Sequence, residues 1–271
     1  MLRRFVLLAA ILSPVAPAQK PEAPPDTPAQ HNLPTDAALN PALPTVFIVG
    51  DSTARNGANL GWGDHLAPLF DTTRINVANR AIAGRSSRTY INEGHWAKTL
   101  AEMKAGDYLL LQMGHNDGGD LGGAKPRGTL KGIGEESQDV PQTAGPLAGQ
   151  TETVHTFGWY VRKMVDEAKA KGVHPMLLTV TIRNIWKDGQ IERDMGYTAY
   201  IQQIAAQEHI PVIDMATIEA DHLQSLGQTQ TALLFPIDHT HTSPEGADMN
   251  AHAVVEALRA AKSPLTAYLK P

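Results

Sequence analysis

The chain has 271 residues, no cysteine, and a formal net charge of −5 at pH 7. The acidic balance argues against nucleic acid or an anionic membrane surface as partner. Without cysteine no disulfide can carry stability, so the apolar core must carry it, and a chain of this length can bury one.

The first residues read as a targeting segment. Arg3 and Arg4 precede an apolar run from Phe5 to Leu12, and Ala16-Pro-Ala18 offers a small-x-small cleavage site. That is the layout of a secretory signal peptide over residues 1–18, and the run is far short of the roughly 20 residues a membrane span needs. Export to a periplasm or to the medium is expected. Cleavage would remove two arginines and no acid, taking the net charge from −5 to −7. Residues 19–43 are rich in Pro and Ala, with seven prolines between Pro21 and Pro44. Such a stretch cannot bury enough apolar surface to fold and predicts a disordered linker. Residues 44–271 then form one domain.

Val46-Phe-Ile-Val49 is an apolar run without alternation, the mark of a strand buried on both faces. It ends in Gly50-Asp-Ser-Thr53. In open α/β sheets ligands bind at the carboxyl ends of strands, so Ser52 is either a helix cap or a nucleophile. A short helix is expected near residues 60–70 and a second strand over 75–79, followed by the small-residue loop Ala81 to Ser87. One helix is expected through Ile91, Trp96 and Leu100 to Lys104, stopped by Gly106. The third strand, Asp107–Met113, ends in Gly114-His-Asn-Asp117.

Residues 118–150 hold nine glycines and no periodicity, which predicts a long lid or binding loop. A helix is expected from Thr153 to Lys171, a fourth strand over 175–180, a helix carrying Tyr197, Tyr200, Ile201 and Ile204, and a short fifth strand at 211–215. The last helix opens at Thr242-Ser-Pro-Glu245, where hydroxyls can cap it, Pro244 fits the first turn and Glu245 meets the positive end. The alternation predicts a three-layer α/β/α domain with a five-stranded parallel sheet and right-handed crossovers, in the flavodoxin-like order 2-1-3-4-5.

In that order Ser52, Gly84 and Asn116 end neighbouring strands. Acyl transfer needs a nucleophile, a base and donors aimed at the developing oxyanion. The N–H groups of Ser52 and Gly84 and the amide of Asn116 can serve as donors, and His241, oriented by Asp238, as the base. The same residues leave a second constellation open: a metal site built from His239, His241 and the carboxylates Asp51, Asp117 and Asp238.

Gly50-Asp-Ser-Thr53, Asn79 to Arg85, Gly114-His-Asn-Asp117 and Asp238-His-Thr-His241 resemble, in this order, the blocks of the SGNH (GDSL-like) hydrolase superfamily. Gly50-Asp-Ser-Thr-Ala54, Gly61-Trp-Gly63, Ala83-Gly-Arg-Ser-Ser87, Gly114-His-Asn-Asp117 and Asp238-His-Thr-His-Thr-Ser243 resemble, within it, the rhamnogalacturonan acetylesterase group. The resemblance implies Ser52 as nucleophile, Asp238 and His241 completing a triad, Ser52, Gly84 and Asn116 as oxyanion donors, and no metal or organic cofactor. It further implies a monomeric serine esterase that removes acetyl groups from pectic polysaccharide. A xylan or small-ester esterase is the alternative within the enzyme class, and a glycan-binding module on the same fold the alternative outside it. A pectic polyanion calls for local positive charge, for which Arg85, Arg88, Arg127 and Arg183 are candidates; Trp62, Trp96 and Trp186 are candidate sugar platforms.

Overall fold

The computed structural model describes residues 38–57 and 59–271. The expected signal peptide and residues 19–37 of the expected linker lie outside the described residues. Residues 38–43, expected to be linker, instead sit on the domain, with Leu39 packed against the core and Asn40 N donating to Asn76 Oδ1. The strands are β1 (Thr45–Val49), β2 (Asn76–Asn79), β3 (Tyr108–Leu111), β4 (Ser137–Pro141), β5 (Thr151–His155), β6 (His174–Leu178), β7 (Trp186–Lys187), β8 (Gln190–Ile191) and β9 (Val212–Ile213). The helices are α1 (Ser87–Asn92), α2 (His95–Glu102), α3 (Phe157–Ala170), α4 (Thr198–Glu208), α5 (Met215–Leu234) and α6 (Pro244–Ala260). The central sheet has five parallel strands in the order β2-β1-β3-β6-β9, the expected 2-1-3-4-5 arrangement.

Alternate residues of each strand enter two separate cores, because successive side chains leave opposite faces of a sheet. Phe47, Val49, Leu109, Leu111 and Leu177 join α2, α3 and α4 on one side. Val46, Ile48, Leu110, Met176 and Leu178 join α5 and α6 on the other. The strands read as unbroken apolar runs because both faces are covered. Register then fixes the site: Ile48 lies opposite Asn79 on one flank and Leu110 on the other, so the loops leaving β1, β2 and β3 start side by side.

Several expectations are corrected. The helix expected over residues 91–104 is two helices, broken where Gly94 takes a φ of 79°. The short helix at 60–70 is two separate 3₁₀ turns. Residues 153–155, expected to be helical, belong to β5; α3 starts only after Thr156, whose hydroxyl accepts from Trp159 N. The long Gly-rich segment contains β4, which pairs antiparallel with β5 from Ser137↔His155 to Pro141↔Thr151. Two elements were not anticipated, α5 and the β7–β8 hairpin. The tryptophans are also reassigned: Trp62 and Trp96 are buried in the two cores, and the half-buried Trp186 packs against a third small cluster and donates to Asn184 Oδ1.

Candidate active site

Ser52 sits in the turn leaving β1. Its loop is held by a buried polar network. Asp51 Oδ1 accepts from Thr53 N at 2.8 Å. Thr53 Oγ1 and Trp62 Nε1 lie 3.0 and 2.9 Å from Gln112 Oε1, one residue past β3. Gln112 Nε2 in turn donates to Thr179 O beyond β6. Asn79, at the end of β2, donates from Nδ2 to Ala54 O at 3.0 Å and to Asp64 Oδ1 at 2.9 Å. Three strand ends are thereby tied to the Ser52 turn. Buried polar groups paired in this way rigidify a site, since each would be costly to strand in a low-dielectric interior, as Asp51 Oδ2 is, buried here without a partner.

His241 enters from the loop that precedes α6. Ser243 caps that helix, its Oγ accepting from Gly246 N, and Pro244 opens the first turn as expected. The cap fixes where the helix begins and so where His241 stands. His241 Nε2 lies 2.8 Å from Ser52 Oγ and Nδ1 lies 2.7 Å from Asp238 Oδ2. Asp238 Oδ1 accepts the N–H groups of Thr240 and His241 at 2.7 and 2.8 Å. Partial burial disfavours the Asp238 charge, but the hydrogen bonds from the His241 ring and from these two N–H groups outweigh it and hold the carboxyl below its usual range. An ionised Asp238 accepts a hydrogen bond from Nδ1–H, which keeps the proton on that nitrogen and leaves Nε2 with a lone pair facing Ser52.

The other two expected oxyanion donors, Gly84 and Asn116, stand in the loops that leave β2 and β3, the strands on either side of β1. Gly84 has a φ of 78°, a left-handed conformation that a side chain would strain. Asn116 is buried and donates from Nδ2 to Arg85 O at 2.9 Å, which aims the amide and leaves its second N–H uncommitted. Asp117 is also buried; its Oδ1 accepts from Ser87 N at 3.1 Å and Ser87 Oγ at 2.5 Å, joining the loop after β3 to the start of α1. Burial pushes the Asp117 carboxyl up to about 7. His115 is pushed down to about 4 by burial and is neutral at physiological pH.

Ser52, His241 and Asp238 are thus joined in one hydrogen-bonded chain, and Asn116 is tied to the residue after Gly84. The expected cations divide. Arg85 and Arg88 are buried and paired with Glu93 and Glu152, whereas Arg127 and Arg183 line an open cleft beside Asn116. His239 stays outside the Ser52–His241–Asp238 chain, and its carbonyl accepts from Asn184 N. Among the described residues no three His, Asp or Glu side chains are grouped to hold a metal ion. Of the supporting residues, Gln112 is not marked by any sequence motif, while Thr53 and Asn79 stand in the sequence only as members of the family-like blocks. A glutamine directly after a buried apolar strand is the signal that would have found the first.

The sequence pattern of the GDSL-like Lipase/Acylhydrolase family matches residues 48–249. The chain belongs to that family. It is an ester hydrolase. The chain is 31% identical over 215 residues to a rhamnogalacturonan acetylesterase of Emericella nidulans, covering 79% of this chain and 84% of that one. A rhamnogalacturonan acetylesterase of Bacillus subtilis, RhgT, is 29% identical over 245 residues, covering 83% and 93%. Among solved structures, the YxiM protein of Bacillus subtilis superposes with a TM-score of 0.65 at 26% identity; the match covers 82% of this chain and 58% of that one.

Proposed function

We propose that the protein is a serine carbohydrate esterase that removes O-acetyl groups from plant cell-wall polysaccharide, with acetylated rhamnogalacturonan as substrate. The observation that carries the chemistry is the continuous hydrogen-bonded chain from Ser52 Oγ through His241 to Asp238. Relatives named for rhamnogalacturonan deacetylation, matched over most of their length, support the substrate.

Ser52 Oγ attacks the acetyl carbonyl carbon while its proton passes to His241 Nε2. The carbonyl π electrons move to oxygen, which accepts from the N–H groups of Ser52 and Gly84 and from Asn116 Nδ2. Each such donor is worth about 3 kcal/mol in the transition state. The intermediate collapses, the bond to the sugar oxygen breaks, and His241 hands its proton to that oxygen. Water then attacks the acetyl-serine with His241 again as base, releasing acetate and restoring Ser52.

The test is acetate release from acetylated rhamnogalacturonan and from acetylated xylan, by wild type and Ser52→Ala. The wild type should favour the pectic substrate, and the variant should lose at least about a thousandfold in kcat. Unchanged release by the variant overturns the serine mechanism, whereas release from xylan alone overturns the substrate.

A further inference from the structure

We propose that Arg127 and Arg183 form a carboxylate-binding subsite that selects a uronate within one sugar of the ester being cleaved. This inference rests on the pectic reading above and deepens it by assigning residues to substrate choice.

The two arginines line one cleft of about 360 Å³, together with His115, Asn116, Met195 and Tyr197. None of its lining side chains is acidic. The cleft adjoins the expected ester-binding residues. Asn116 is shared, and Arg127 Nη1 approaches Gly84 O at 3.4 Å. A Cβ at position 119 would stand 3.0 Å from Arg127 Cγ, so a glycine there leaves room for the arginine's stem.

Arg127 donates one N–H to Gly84 O, and neither guanidinium has its charge met by an acid among the described residues. Arg85 and Arg88 spend their charge on buried glutamate partners. Arg127 and Arg183 have no carboxylate partner among the described residues. Arg183 reaches only His115 Nδ1, at 3.5 Å from Nη2, and its Nε is buried with no hydrogen-bond partner. His115 offers no negative charge to meet it, and burial, with Nε2 against Thr181 Oγ1, keeps that ring from adding a second positive one. Two half-buried cations without counter-charge, in a molecule of net charge −5, are a poor arrangement for the protein alone. A planar guanidinium matches a carboxylate bidentately, and partial withdrawal from water strengthens that pairing.

The probe is an acetylated rhamnogalacturonan oligosaccharide in two forms, with free uronates and with methyl-esterified uronates. Wild type should favour the free acid at least tenfold in kcat/KM, chiefly through KM, and added salt should narrow the gap. Arg183→Met and Arg127→Met should raise KM for the free acid ten- to a hundredfold and erase the preference, with partial recovery in the Lys variants. Measurable turnover of 4-nitrophenyl acetate reports that each variant is folded with its serine functional. A preference that survives in both Met variants, or equal use of the two forms by wild type, overturns the subsite while leaving the pectic reading standing. Turnover of acetylated xylan with none of either pectic form overturns both.

Discussion

Asp238 uses its two oxygens differently, and the difference is open to measurement. Oδ1 takes two backbone N–H groups and shapes the turn, while Oδ2 takes the His241 ring. Asp238→Asn can keep the first role, because the amide oxygen still accepts. Its NH2 group then meets Nδ1, favours the tautomer protonated on Nε2, and denies Ser52 its base. We expect kcat to fall by about 10³- to 10⁴-fold with KM little changed. A loss of less than tenfold in steady-state kinetics would mean His241 is oriented by something other than Asp238. The linked set Ser52, Asp238 and His241 was legible in the sequence because the serine follows a buried run and the other two precede a helix cap. Gln112 and Asn79 were not, because their work is to hold loops distant in sequence, and only the tertiary fold pairs them with Thr53 and Ala54.

At the scale of elements, the sheet strands were legible because burial on both faces leaves an unbroken apolar run. α5 was missed because its stripe is diluted by glutamines and threonines and interrupted at Gly227, where φ is 76°. The cue present was Asp214, whose Oδ1 caps the helix at Thr217 N. The β7–β8 hairpin carried a stronger cue, since Asp188 and Gly189 both adopt positive φ, as a two-residue type I′ turn requires. The β4–β5 hairpin has no such local signal and is held from outside. Glu152 on β5 receives Arg88 Nε at 2.9 Å, a second Arg88 nitrogen, and Asn92 of α1. Arg88 is 1% exposed and also donates to Leu121 O and Gly128 O. Glu152→Ala would leave a buried guanidinium short of its charge partner, at a cost of about 3–5 kcal/mol. The expected outcome is a correspondingly lower midpoint in urea unfolding. Destabilisation under 1 kcal/mol would show that the backbone carbonyls suffice.

For the whole molecule, stability must vary with pH in two opposing ways. Carboxyls held below their usual range, such as Asp238, Glu93 and Glu208, contribute stability that is lost as pH falls through their folded values. Glu219 acts in reverse. It lies fully buried on α5, where Oε2 accepts from Ile182 N at 2.8 Å and Oε1 has no partner. Burial pushes its carboxyl up to about 8, so the folded protein favours the protonated form. The unfolded chain gives up that proton near pH 4.5, and the folded chain holds it. Its contribution is therefore complete below about pH 4.5 and drains away as pH rises through about 8. The net result is a stability maximum on the acidic side of neutrality. Glu219→Gln keeps an acceptor for Ile182 N and cannot ionise. Between pH 5 and pH 8.5 the wild-type Tm should fall roughly 5 °C further than that of the variant. Thermal scans across that window decide it, and parallel curves for the two proteins would place the alkaline loss in some other group.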